Sequence, residues 1–344
     1  MGTFIARRIL WMMLVIFAVS AITFVLMHAV PGGPFDKEKK LPDHVIANLE
    51  KKYRLDQTLT QQYVEYMADI LIPRITNGES TRTTMSDFLF NIQLRGDDKT
   101  TEENEAIYLR WMNWGPSYAS RTRTVNDIFR EQLPISFTLG VLALSLAVVV
   151  GVPLGILAGL NRNTPVDYLC MAIAIFGVSV PVIVMGPILI WLFAVQLRWL
   201  PPSGWGTVEQ AILPTIALGG ASTALLARLT RASLLQVLRE EYITTARAKG
   251  LAERAVIGIH ALKNALIPVA TVLGPLFAAL VTGTFVTETI FGIPGMGRYF
   301  ITSITNRDYP VIMGTILLYA IFLVVANVIV DITYAWLDPR IRFT

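Results

Sequence analysis

Six long apolar runs constrain this 344-residue chain more than any other feature. They cover residues 9–30, 134–160, 168–197, 211–229, 265–291 and 311–337, and each can cross about 30 Å of hydrocarbon as a helix. Within a bilayer the backbone must satisfy its own hydrogen bonds, which leaves helices or a closed barrel, and uninterrupted apolar runs of this length read as helices. Only 16% of the residues are charged, against about a quarter in a soluble domain. The expected fold is an all-α membrane protein with six transmembrane helices.

The first run follows Arg7 and Arg8 and exceeds the apolar region of about 7–15 residues found in cleaved signals, so it reads as an uncleaved signal anchor. Residues 18–21, Ala-Val-Ser-Ala, carry the small side chains of a cleavage site, the competing reading. Ala6 stands where a myristoylation signal needs Ser or Thr. Residues 1–30 thus form the N-terminal end and first span, 31–133 a polar segment, and 134–344 a core of five further spans. The polar segment opens on Pro31-Gly32-Gly33-Pro34 and balances 14 Lys and Arg against 16 Asp and Glu, as a solvated surface does. Asp43 is a candidate cap for a helix with Val45, Ile46, Leu49 and Tyr53 on one face, and Tyr63, Met67 and Ile70 repeat that spacing. The segment is therefore expected to be mainly helical, with weak periodicity from Ile75 to Trp114.

Gly151, Gly155 and Gly159 recur every four residues, a spacing that lets helix backbones approach. Pro181 and Pro187 predict a kink or break midway through the third run. Trp199, Pro201, Pro202 and Trp205 suit a rigid turn at a membrane surface. Lys and Arg in short loops set orientation. With the N-terminus inside, the inner face holds twelve, among them Arg162, Arg228, Arg231, Arg247 and Lys249, and the outer short loops hold only Arg198, Arg298 and Arg307. Both termini are then cytoplasmic, 31–133 is outside and the basic stretch 240–268 is inside.

Several chemistries lack their parts. His28, His44 and His260 are scattered and Cys170 is the only cysteine, which leaves no metal-ligand pattern and no disulfide. No Gly-x-x-x-x-Gly-Lys-Ser/Thr is present to cradle a nucleotide. Ser179 has no span-centred histidine for proteolysis. Span centres are nearly free of ionisable groups, Asp331 and Glu288 lying near run ends, so an ion-coupled carrier is disfavoured. The chain is expected to be non-catalytic, to bind no cofactor or metal of its own, and to take its driving energy from elsewhere.

The stretch 235–268 then stands out. Strong helix formers lead to Gly250, where a helix would end in the left-handed conformation, and Val256, Ile259, Leu262 and Leu266 give a second short amphipathic helix. Ala246 and Ala248 would keep a surface flat beside Arg247 and Lys249. On physical grounds this is either a docking element or a helix lying on lipid.

Glu241-Tyr242-Ile-x-Thr245-Ala246-Arg247-Ala248-Lys249-Gly250, followed by His260-Ala-Leu-Lys-Asn264-Ala-Leu-Ile-Pro268, resembles the cytoplasmic coupling loop of ABC importer permeases in its oligopeptide and dipeptide branch. Thr244-Thr245-Ala246, where the general pattern has Glu-Ala-Ala, narrows the resemblance to that branch. Phe4-Ile-x-Arg-Arg8, Pro31-Gly-Gly-Pro-Phe35, Trp114-Gly-Pro-Ser117, Asn163-Thr-x-x-Asp167-Tyr, Glu288-Thr-Ile-Phe-Gly-Ile-Pro294-Gly295-Met-Gly297 and Asp338-Pro-Arg340-Ile-Arg extend it to the first permease subunit of oligopeptide importers. The resemblance implies a type I importer fold, in which residues 75–112, the part that does not fit it, are an outer insertion between helices 1 and 2, and a second homologous permease as partner. It also implies two cytoplasmic subunits that hold ATP and Mg, a substrate-binding protein outside, and no nucleic acid. It assigns Glu241, Tyr242, Thr245, Ala246, Arg247, Ala248, Lys249 and Gly250 to ATPase docking, His260, Asn264 and Pro268 to the second half of the loop, and Glu288, Pro294, Gly295 and Gly297 to an outer gate or binding-protein side. The prokaryotic inner membrane is the implied location. Oligosaccharide or nickel as substrate is the alternative within the branch, and a membrane scaffold is the alternative from another class.

Overall fold

The computed structural model describes residues 2–35, 42–77, 88–95, 107–120, 122–282 and 284–337. In chain order, α1 (Gly2–Ala29) takes the first apolar run, followed by α2 (Asp43–Lys52) and α3 (Leu59–Leu71). Three strands come next, β1 (Arg74–Asn77), β2 (Phe90–Arg95) and β3 (Ile107–Trp111). The helix α4 (Val125–Leu146) passes through a wider π-helical turn at Ala147–Gly151 into α5 (Val152–Leu160). The third run is broken into α6 (Pro165–Ser179) and α7 (Val182–Leu189), with α7 extended by π-helical turns at Ile190–Gln196. The halves meet at 105°. Pro181 offers no N–H and drives Val180 out of the helical region, to φ −105° and ψ 115°, so the helix must end there.

Beyond it lie α8 (Val208–Val237), α9 (Glu241–Ala248), α10 (Glu253–Ala255), α11 (Leu262–Ala265), α12 (Ile267–Thr282), α13 (Phe285–Phe291), α14 (Gly297–Asn306) and α15 (Tyr309–Leu337). Among the described residues four helical stretches are long and apolar enough to cross a membrane singly: Leu10–Ala29, Val125–Leu160, Val208–Val237 and Tyr309–Val330. The number rises to six if each of two bent pairs, α6 with α7 and the stretch Glu253–Ala265 with α12, is one span.

The chain divides into two compact units. One comprises residues 13–134 and 298–320. Here α3 begins with a reciprocal cap between Thr58 and Gln61, and α2 begins with Pro42, not Asp43, in the cap position. The expectation of a mainly helical polar segment holds for 43–71 and gives way beyond it to an antiparallel sheet of order β1-β3-β2. Its cause is a two-residue alternation in β3, where Tyr108 and Arg110 turn inward and their neighbours do not. Much of 75–112, including 78–87 and 96–106, and the closing 338–344 lie outside the described residues. Trp114 is buried edge-on against Phe129, and Asp308 accepts hydrogen bonds from the Ser117 hydroxyl and the Tyr118 and Ala119 amides.

The other unit comprises residues 1–12, 135–297 and 321–344 and is built around α8. The glycine stripe of α5 lies directly on it: a methyl group at Gly155 would stand 2.5 Å from the Ala227 carbonyl oxygen, so no larger residue fits. Leu139, Met185, Leu189, Leu213, Phe291 and Ile293 form one apolar core, and Leu234, Ile243, Val256, Ala261 and Ala265 another.

Candidate functional site

The second of these cores holds the basic stretch in shape. Leu234, near the end of α8, packs with Ile243 and Ala246 of α9 and with Val256, Ala261 and Ala265 of the following helical segment. Gly250 turns the chain at φ +78°, the left-handed conformation expected of a glycine closing a helix, and Leu251 N–H reaches back to the Ala246 carbonyl at 3.4 Å. Arg247 spans the corner, donating from Nη2 and Nε to the Glu253 carboxylate at 2.7 and 3.2 Å, and this contact raises the guanidinium pKa further. Asn264 Nδ2 donates to the Tyr242 hydroxyl at 2.7 Å, tying the two halves of the loop together. Pro268 falls in the first turn of α12, where its missing N–H is tolerated, and the chain bends by 44° just before it.

Glu241, Tyr242, Thr245, Arg247, Ala248, Lys249 and Gly250 form the exposed face of this element, and His260 is half-buried. Ala246 departs from expectation. It is 7% exposed and belongs to the inner core, so the flat outer surface is carried by Ala248 and Gly250. A helix repeats every 3.6 residues, and Ile243 and Ala246 fall on one face while Ala248 falls on the other.

The outer-gate group also divides. Glu288 is 2% exposed and accepts hydrogen bonds from the Ser136 hydroxyl at 2.6 Å, the Gly297 amide at 2.8 Å and the Thr284 hydroxyl. Ser136 in turn accepts from the Met296 amide at 2.8 Å. Gly295 packs flat against the Glu288 carboxyl, where any side chain would collide. Glu288, Gly295 and Gly297 therefore lie inside, holding the loop after α13 in place, and only Pro294 is exposed. Ser136 and Thr284, unmarked by the sequence reading, complete this network.

Residues 151–343 match the sequence profile of the binding-protein-dependent transport system inner membrane component, and residues 1–87 match the N-terminal profile of such membrane components. The chain belongs to this permease family. It is 39% identical over 342 residues to the dipeptide transport system permease protein DppB of Bacillus subtilis, covering 99% of this chain and 98% of that one. It is 38% identical over the same length to the oligopeptide transport system permease protein OppB of Salmonella typhimurium, covering 99% of each. In fold it is similar to a chain of the MetNI methionine ABC transporter, with a TM-score of 0.51 at 17% identity over 61% of this chain and 96% of that one. The permease is thus a multi-pass membrane protein of the ABC importer class.

Proposed function

We infer that this permease is the transmembrane subunit of an ATP-driven importer of oligopeptides or dipeptides, and that α9 with the Gly250 corner is where partner ATPases engage it. The observation that carries the docking assignment is a short exposed helix braced from behind by its own core. Tyr242, Thr245, Arg247, Ala248, Lys249 and Gly250 face outward, while Ile243 and Ala246 anchor the helix to α8. The full-length similarity to peptide permeases supports the substrate class. A second homologous permease, two ATP-binding subunits holding ATP and Mg, and an extracytoplasmic binding protein complete the assembly. The charge asymmetry supports cytoplasmic termini and a cytoplasmic docking face.

The test is reconstitution of the complete complex in proteoliposomes with labelled di- and oligopeptides, and with an oligosaccharide and nickel as controls. Peptide uptake that requires ATP and the binding protein is the expected result. Uptake of the controls alone would overturn the substrate class, and failure of any ATPase to co-purify would favour a scaffold. Ala248→Trp, which changes the outer face alone, is expected to release the ATPase subunits while the permease stays in the membrane.

A further inference from the structure

Asp167 and Arg231 belong to neither surface described above, yet they form the most deeply buried ion pair among the described residues. The Asp167 side chain is 2% exposed and that of Arg231 28%. Arg231 Nε and Nη2 each lie 2.7 Å from a different carboxylate oxygen, and the Asn163 amide donates to the same group at 2.9 Å. Asp167 sits in the first turn of α6 and Arg231 in the last two turns of α8.

A buried ion pair is a weak source of stability, because desolvation offsets most of the attraction, and its best-attested use is to specify register. Adhesion of α6 to α8 is already provided elsewhere: Gly177 meets Gly220 so closely that a methyl group would stand 2.6 Å from the Gly220 carbonyl oxygen. Between there and the ion pair, Ala174 and Met171 of α6 pack with Ala224 and Ala227 of α8, a seam of small or flexible side chains that holds the helices together without fixing the rotation of one on the other. The ion pair lies about three turns away along both helices, roughly 15 Å, so the two points together fix the crossing angle. A planar, two-pronged guanidinium contact also resists rotation of one helix about its own axis, which a lysine or a lone hydrogen bond would not. One turn beyond Arg231, Leu234 enters the core that holds Ile243 and Ala246 of α9. At its other end α6 stops at the Val180–Pro181 break.

We infer that Asp167 and Arg231 are positioning residues that lock α6 to α8 and the docking element as one rigid body, leaving the Val180–Pro181 break as the joint at which the third span bends. Displacement of α9 then carries α6 with it. Without the pair, α8 follows α9 while α6 turns on the smooth seam of Gly177, Ala174 and Met171, and ATP is hydrolysed with little transport. The transport consequence rests on the importer reading above; the mechanical lock does not.

Two measurements separate them. In a Cys170→Ala background, spin labels at Ile173→Cys and Leu225→Cys, both exposed, report the α6–α8 distance distribution in the full-length permease. A narrow distribution is expected, broadened in Asp167→Asn and in Asp167→Leu/Arg231→Met, which removes both charges at similar volume and should still fold. Unchanged width in the double variant overturns the lock whatever the transport result. In the reconstituted complex, Asp167→Asn and Arg231→Gln are expected to keep ATPase activity but lose about tenfold in peptide imported per ATP, within the usual range of coupling between sites. The swap Asp167→Arg/Arg231→Asp is expected to restore that ratio. An unchanged ratio in the single variants overturns the coupling role. Labels that respond as expected in a wild-type complex that imports nothing would overturn the importer reading alone.

Discussion

Glu288 has three hydrogen-bond donors trained on its carboxyl in a place closed to water. Replacing it by Leu strands the Gly297 amide and two hydroxyls, and each buried unpaired group costs about 1–3 kcal/mol. Glu288→Leu is therefore expected to lower the Tm of the purified protein clearly, and Glu288→Gln, which keeps an acceptor, to lower it less. Arg110 presents the opposite case. It is fully buried between Phe88 and Tyr108, with none of its three side-chain nitrogens hydrogen-bonded among the described residues. The two rings offset its desolvation only in part, so replacing the charge by an apolar side chain of similar length, Arg110→Met, is expected to hold or raise the Tm. Asp69 gives a pH signature. Burial pushes its carboxyl above the usual carboxylate range, opposed by Arg74 and then Arg54. A proton held more tightly in the folded state than in the unfolded one means that stability from this group is full at low pH and is lost as pH rises through the folded value. Asp69→Asn should flatten that part of the pH dependence of Tm; an identical profile would show that the carboxyl is unperturbed. None of these three roles was legible in the sequence. Ser136 and Glu288 stand far apart in the chain, and an arginine turned into a sheet's covered face breaks the pattern by which faces are read.

At the scale of elements, local chemistry carried the reading well. Gly250 was expected to close a helix in the left-handed conformation and does, because an L side chain there meets its own carbonyl. Pro181 was expected to interrupt the third run and does, to the extent of 105°. Gly250→Val is expected to destabilise the corner by about 1–2 kcal/mol, the cost of a left-handed β-branched residue, and hydrogen exchange of residues 246–252 would report it. Which face of α9 looks inward was not legible. Two alanines differ only in what lies behind them, and Leu234 and Val256, which decide it, come from other helices. The strands were missed because polarity does not follow burial: Ile92 and Leu94 are both about half accessible, while an arginine occupies the covered face of β3, so no apolar alternation marks it.

For the whole molecule, the apolar runs made the membrane class legible, since the bilayer leaves few other ways to satisfy a backbone. The division into two compact units was hidden, because each gathers segments from distant parts of the chain. Orientation can be checked directly. In a Cys170→Ala background, a single cysteine at Lys249 is expected to react with an impermeant maleimide only from the cytoplasmic side, and one at Asp56 only from the outer side. Labelling of both from one side would overturn the charge-based topology.

On the docking role proposed above, the brace between Tyr242 and Asn264, with the apolar core beneath it, means that α9 meets a partner already shaped by its own chain. Association then spends little entropy on ordering the loop, unlike recognition by a segment that folds as it binds. A synthetic peptide of residues 238–268, cut from α8 and freed of that core, would have to fold as it bound and should compete only weakly with the intact permease for the same ATPase.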